Sequence, residues 1–437
     1  MVGSFPSNSH GEYSSRHSWE MPCGIPRRLF CVLILPLFYP YIGFIDGIDT
    51  QPFFLLPLLV LLALCGVSGG AVRRTDAIAV AVLVCLAMIG GLFHFPEGWP
   101  RVPFFYVAAL MVWLSFSYLS SAAVLVVLSP TFIAMVSLTY IFVGLLQLLF
   151  ENSFAAGFVS RPVEQVTQLV ESGRGVRSLT PEPSQLARLL LQLNLLFVAY
   201  GTLVARHRLA IRSLVVGSAL LLFASVFVAQ SLYGATVHLT CFLVLLMVLR
   251  QWIILLLSVC TIPIAVLLAI WLVDVIGDVR FLYLMQLLAA EPAQIFEFGA
   301  IRRLLNIPLS IAGGFQHGCL GAEAGAEAVA IEVSDDRHIL VGSKLFGGVF
   351  EHVLVFGVFG VPAVVYFSRV VWKISKLHAP IAHFGERRIG WYFALGVFAV
   401  FFQYGSLLDP IAYLLVAFLY NLATVQSRYA RSLIYWK

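Results

Sequence analysis

The residues of this chain best suited to chemistry are arginines set beside prolines, a serine and glycines. The segment Arg174–Arg188 reads RGVRSLTPEPSQLAR. Its prolines, Pro181 and Pro183, stiffen the approach to the apolar run that follows, and Ser184 suits a helix N-cap. Arg177 and Glu182 flank this turn, and Arg188 lies one helical turn past Ser184, on the same face. A capped helix N-terminus beside arginines forms an anion site. The competing reading has Arg188 snorkelling to the interface and Arg177 paired with Glu182 for structure. A second cluster, Arg302–Arg303, stands in EFGAIRRLLNIPLSIAGGFQHG. Neighbouring helical residues point about 100° apart, so one of the two faces a given ligand squarely and the other is available to lipid headgroups. Headgroup binding is the competing reading for both. Arg280 is a third candidate. His317, just after Gly313–Gly314, has the side chain of a general base; its alternative is a solvated loop histidine.

External arginines on two loops at the edge of an apolar solvent match a lipid diphosphate, whose oxygens fit guanidinium forks. If a sugar leaves that diphosphate, negative charge grows on the departing oxygens, and positioned arginines stabilise it without a metal. The attacking hydroxyl needs a base, for which Glu182 and His317 are the candidates. Glu323, Glu327, Glu332, Asp335 and Asp336 read mainly as a solvated acidic surface. His238 and His352 fall in or near apolar runs, where ionisable groups are functional candidates by default, but close to an interface. None of the seven cysteines pairs with His at metal-ligand spacing, and only Cys319 lies in an external loop. Neither a metal site nor a disulfide framework is expected, and no cofactor.

The elements that must position these residues are membrane helices. The 437 residues are 60% hydrophobic and 11% charged, against about 25% charged in soluble domains. That excludes an ordinary soluble enzyme and a disordered scaffold. A net charge of +5 is too small to suggest nucleic acid as a partner. Twelve apolar runs are long enough to cross a bilayer: roughly 29–45, 53–69, 77–94, 103–119, 122–150, 185–204, 213–229, 234–249, 252–273, 346–368, 389–406 and 409–424. The 103–150 stretch exceeds one span and divides at Ser117–Ser121. The fold class is an all-α polytopic membrane protein. With the N-terminus in the cytoplasm, the cytoplasmic segments hold 17 of the 27 Lys and Arg but 4 of the 22 Asp and Glu, as the positive-inside rule requires. Both termini are then cytoplasmic: residues 1–28 and 425–437 form tails, and 29–424 the membrane domain. The long external loops span about 151–184 and 274–345. Each carries a short amphipathic stretch, Val163–Val170 with Gly173 as C-cap, and Pro292–Leu305 ended by Pro308 and Gly313–Gly314. These lie on the membrane surface or cover the tops of the spans.

The topology, the two external loops and the arginine clusters resemble the Wzy-type O-antigen polymerases of bacterial inner membranes. Arg177–Ser184, RSLTPEPS, resembles the family's loop motif, in which an arginine precedes Glu-Pro-Ser at the start of a span. Arg302–Gly313 and Arg303–Gly314 each match its arginine, ten residues, glycine spacing. SKLFGGVFEHVLVFGVFGV, from Ser343, resembles its return into the membrane. The first loop departs from the pattern, since Gly173 falls one residue too far from Arg161. The resemblance implies a glycosyltransferase C-type fold. It also implies metal-independent polymerisation of undecaprenyl-diphosphate-linked repeat units on the periplasmic face, with undecaprenyl diphosphate leaving. Arg177, Glu182, Arg302, Arg303 and His317 become candidate catalytic residues; Arg161, Arg174, Ser184, Arg188, Arg280, Gly313 and Gly314 become candidates for holding the lipid diphosphate and glycan. Implied partners are the donor and acceptor glycolipids, the bilayer, a chain-length co-polymerase and a repeat-unit flippase. An O-antigen ligase has similar topology and donor. A flippase or other twelve-span transporter is the alternative from another class; the near absence of charge from the spans argues against it.

Overall fold

The computed structural model of the chain describes residues 27–43, 52–65, 72–93, 101–121, 128–150, 154, 158–159, 176–204, 209–261, 306–316, 319–321, 328–334, 337–342, 348–381, 385–403 and 409–434. The helices are α1 (Arg27–Ile34), α2 (Leu55–Cys65), α3 (Arg74–Leu92), α4 (Arg101–Ser121), α5 (Pro130–Leu149), α6 (Pro183–Leu203), α7 (Ile211–Phe227) and α8 (Leu232–Val248). They continue as α9 (Trp252–Thr261), α10 (Asn306–Gln316), α11 (Glu351–Phe356), α12 (Val361–Ile374), α13 (Gly390–Val397) and α14 (Pro410–Ile434). Each of the twelve apolar runs contains a helical segment. Five segments are long and apolar enough to cross a membrane by length and composition: α3, α5, α6, the stretch Gly348–Ile374 and the first part of α14. Large apolar side chains such as Leu56, Leu149 and Ile253 are exposed on the outside of the bundle, as expected where lipid rather than water is the neighbour.

α6 is the central helix. Its span is 94% buried, against 33% for α3 and 39% for α5. Small residues let it be surrounded closely: a Cβ on Gly234 of α8 would stand 2.2 Å from Ala187 Cβ. Polar side chains lock the same packing. Asn194 of α6 meets His238 Nε2 of α8 at 3.0 Å, and Ser218 of α7 donates to Asn194 Oδ1 at 2.8 Å. Ser225 of α7 meets His238 Nδ1 at 2.9 Å. His238 is thus fully buried, with both ring nitrogens partnered.

Several boundaries differ from the sequence expectation. Ser117–Ser121, where the 103–150 stretch was expected to divide, is still helical at the end of α4, and α5 begins at Pro130. Ser129 caps α5 by accepting from Phe132 N at 3.2 Å, with Pro130 as first helical residue. The run 29–45 does not continue as one helix, because Pro36 and Pro40 convert its end to a 3₁₀ turn (Leu35–Phe38) and an irregular segment. α14 runs on to Ile434, ten residues past the predicted end of the last span. The expected all-α fold carries two small antiparallel hairpins. Strands β1 (Ala328–Ser334) and β2 (Arg337–Gly342) pair within the acidic stretch of the second long loop, and β3 (Ala379–Ile381) pairs with β4 (Gly385–Arg387). Alternation in AVAIEVS fits the strand, with Val329, Ile331 and Val333 at every second position.

Candidate functional site

The site begins with the loop that leads into α6. Gln147, fully buried on α5, is hydrogen-bonded to both sides of the Ser178 backbone: its Oε1 accepts from Ser178 N at 2.7 Å and its Nε2 donates to Ser178 O at 3.0 Å. The same Nε2 donates to Phe154 O at 3.0 Å, and Ser178 Oγ donates to Tyr140 O at 2.6 Å. Ser178 is held at φ 54°, a left-handed conformation unusual for a residue with a Cβ. Thr180 Oγ1 lies 2.6 Å from Arg177 O and 2.9 Å from Glu182 O, closing the turn. Arg177 is therefore buried, at 3% exposure, in a loop clamped on either side. Replacing Gln147 with alanine would leave the Ser178 N–H and C=O buried without this partner. The expected cost is about 2–4 kcal/mol, read as a lower unfolding temperature of the purified protein.

α6 starts one turn later. Its N-cap is Glu182, with Pro183 in the first turn, and no side chain caps it. The expected Ser184 cap is corrected: Ser184 is already helical, and its Oγ donates to Glu182 Oε2 at 3.2 Å. Pro183 explains the shift, because its fixed φ suits the first helical residue and moves the cap two positions back, to Glu182. Ser184 and Arg188 do share a buried face.

Arg188 does not snorkel. Its Nη2 lies 3.1 Å from Asp409 Oδ2, both side chains nearly inaccessible, and donates to Tyr41 OH at 2.7 Å. Gln192, one turn on, donates to the same Asp409 oxygen at 2.7 Å. Asp409 Oδ1 accepts from Ile411 N and Ala412 N, so the carboxylate also closes the N-terminus of α14. Tyr41 is placed by the irregular end of the first apolar run: Tyr140 OH donates to Phe38 O at 2.8 Å and the Tyr39 ring stacks on Tyr140. Asp409, Tyr41 and Gln192 were not among the expected site residues. The signal was present for Asp409, an acidic residue immediately before a proline at the start of a span.

One turn past Asp409, Tyr413 of α14 lies within electrostatic reach of Glu351 of α11. α11 and α12 are separated by a 3₁₀ turn at Gly357–Gly360, so the Gly348–Ile374 span is a broken helix. His352, buried, donates from Nδ1 to Val349 O at 3.0 Å. α10 and the residues just after it, in the second long loop, pack on this break with their backbone. A Cβ on Gly314 would stand 2.1 Å from Val353 O, and one on Gly357 2.0 Å from Cys319 O. Val358 N donates to Cys319 O at 2.9 Å. Two expectations change here. Pro308 and Gly313–Gly314 do not end a helix; all three lie within α10. Gly314 has a packing reason, close backbone approach, and Gly313 is buried beside it. Arg161, Arg174, Arg280, Arg302, Arg303 and His317 lie outside the described residues, as do both predicted amphipathic stretches.

The described arrangement supplies a buried ion pair, two buried arginines on one turn-helix unit, and a docking point for the second loop at a helix break. Among the described residues no three His, Cys, Asp or Glu side chains gather as a metal site would need. No protein family, curated protein or solved structure matches this chain.

Proposed function

We propose that this protein joins lipid-diphosphate-linked oligosaccharide units outside the cytoplasmic membrane of a bacterium, as an O-antigen-type polymerase with a glycosyltransferase C-type fold of about twelve spans and both termini inside. The observation that carries the reading is the clamped loop that holds Arg177 buried. A strained serine secured by three hydrogen bonds is an expensive way to place its neighbour, and such strain is characteristic of functional sites. In the reaction, an acceptor hydroxyl attacks the anomeric carbon of the donor sugar as the bond to the diphosphate oxygen breaks. Arg177, with Arg302 and Arg303 from the second loop, stabilises the charge gained by the leaving diphosphate. Glu182 and His317 are the bases proposed to take the hydroxyl proton.

Arg177→Ala, and Arg302→Ala or Arg303→Ala, are expected to lower polymer formation by on the order of 10²-fold with the protein still inserted. Arg177→Lys restores charge without the guanidinium fork and recovers only part of the activity. A deletion strain tests the whole reading through its lipopolysaccharide. Loss of a polymerase leaves core bearing one repeat. Loss of a ligase leaves bare core and polymer stranded on the carrier. An unchanged ladder sinks both.

Transport is the second reading, favoured by one observation: the Gly348–Ile374 span is a broken helix, a device transporters use near their substrate sites. Its deletion would leave bare core with no polymer on the carrier.

A further inference from the structure

A second charged cluster, away from the Arg188–Asp409 pair, is not used by glycosyl transfer. Arg73 precedes α3, Asp76 stands in its first turn, Arg369 and Lys373 lie near the end of α12, and Tyr420 and Asn421 lie on α14. The charge pattern puts all of these helix ends on the cytoplasmic side. The Tyr420 ring carries two cations: the Arg73 guanidinium carbon is 4.7 Å from its centroid and Lys373 Nζ 4.8 Å. Lys373 Nζ also donates to Tyr420 OH at 3.1 Å, and that hydroxyl donates to the buried Asp76 carboxylate at 3.0 Å. Arg73 Nη2 donates to Asn421 Oδ1 at 3.2 Å, and Asn421 is fixed by donating to Ser120 O at 3.0 Å. Arg73 Nη1 is buried and meets no hydrogen-bond partner among the described residues.

Lys373 interacts electrostatically with Arg73 and Arg369 as well as with Asp76. Arg73 and Lys373 therefore crowd one carboxylate, which already accepts from Tyr420, and Arg369 adds its charge on the Lys373 side. Such a group repels itself until an anion joins it, and side chains facing only water would spread apart. Here Arg73 and Lys373 are half-buried and held, while Arg369 is exposed. Ile78, Val365 and Trp372, on the same two helices, expose apolar surface suited to acyl chains.

We infer that Arg73, Lys373 and Arg369 bind a phosphate group beside Tyr420, carried by a lipid headgroup or as free phosphate. The test titrates the full-length protein in neutral detergent at constant ionic strength, with short-chain phosphatidylglycerol in one arm and sodium phosphate in the other. It reads the unfolding midpoint and apparent affinity. Saturable stabilisation by phosphatidylglycerol alone assigns the phosphate to a lipid; stabilisation by sodium phosphate assigns it to the free ion. Arg369→Ala, which removes exposed charge and little packing, is expected to weaken apparent affinity about fivefold, and Arg73→Ala more. Arg212→Ala, a cation on the same predicted side but outside the cluster, is expected to change nothing. No saturable stabilisation in either arm, or an equal loss in Arg212→Ala, overturns the inference. If Arg73→Ala does not fold, Arg369→Ala decides.

Discussion

Asp409→Ala is expected to destabilise the protein by about 3–5 kcal/mol, enough to remove most of it from the membrane fraction. The carboxylate is buried and its oxygens are all in use: one faces Arg188 Nη2 and accepts from Gln192, the other accepts two backbone N–H groups of α14. Removing it leaves a guanidinium charge in a site that has lost its neutralising partner. The attraction within a buried pair roughly offsets its desolvation, so losing one member costs far more than losing both. Arg188→Met combined with Asp409→Leu should therefore regain much of the stability lost in Asp409→Ala. Detergent-solubilised unfolding temperatures check this directly, and a single variant as stable as the parent would show that the pair is not needed. The double variant also separates two roles of Arg188. If the arginine only holds α6 to α14, polymer formation returns with the protein. If it also holds the donor diphosphate, the protein returns and the polymer does not.

The second large effect is expected at the helix break. Gly357 has φ 55°, and a Cβ there would meet Cys319 O at 2.0 Å and Gly321 N at 2.6 Å. Both obstacles are backbone, so no rotamer change relieves them. Gly357→Ala should cost on the order of 4 kcal/mol, at the extreme of single substitutions, and should detach the inner end of the second loop from α11. Gly217→Ala is the matched control. Its Cβ would meet only the Phe197 ring, at 2.6 Å, and a ring can turn aside. Limited proteolysis of the second loop, compared between the two variants, reads the detachment. Equal protection would mean that the loop does not depend on this contact.

Much of the frame was legible in the residues. Each apolar run contains helix among its described residues because hydropathy is a local property that lipid enforces on each run separately. The turn before α6 was legible too, since Pro181, Pro183 and the polar residues around them leave few backbone choices, although the cap itself fell on Glu182 rather than Ser184. Gly313–Gly314 shows where local reading fails. In isolation a glycine pair weakens a helix, but in the fold it permits the contact of α10 with Val353 that repays this weakness.

By itself, then, the sequence determined which segments are apolar helices, where charge is scarce, and that arginines gather on two loops. Only the tertiary structure decided what Arg188 meets. Arg188 was compatible with snorkelling or an anion site until α14 brought Asp409 against it, with Gln192 and Asp409 217 residues apart in the chain. Spacing records which residues share a helix face. It does not record which face of another helix will cover them, and in a bundle where nearly every face is apolar, that choice is made by packing and by the few polar groups that must find one another out of water.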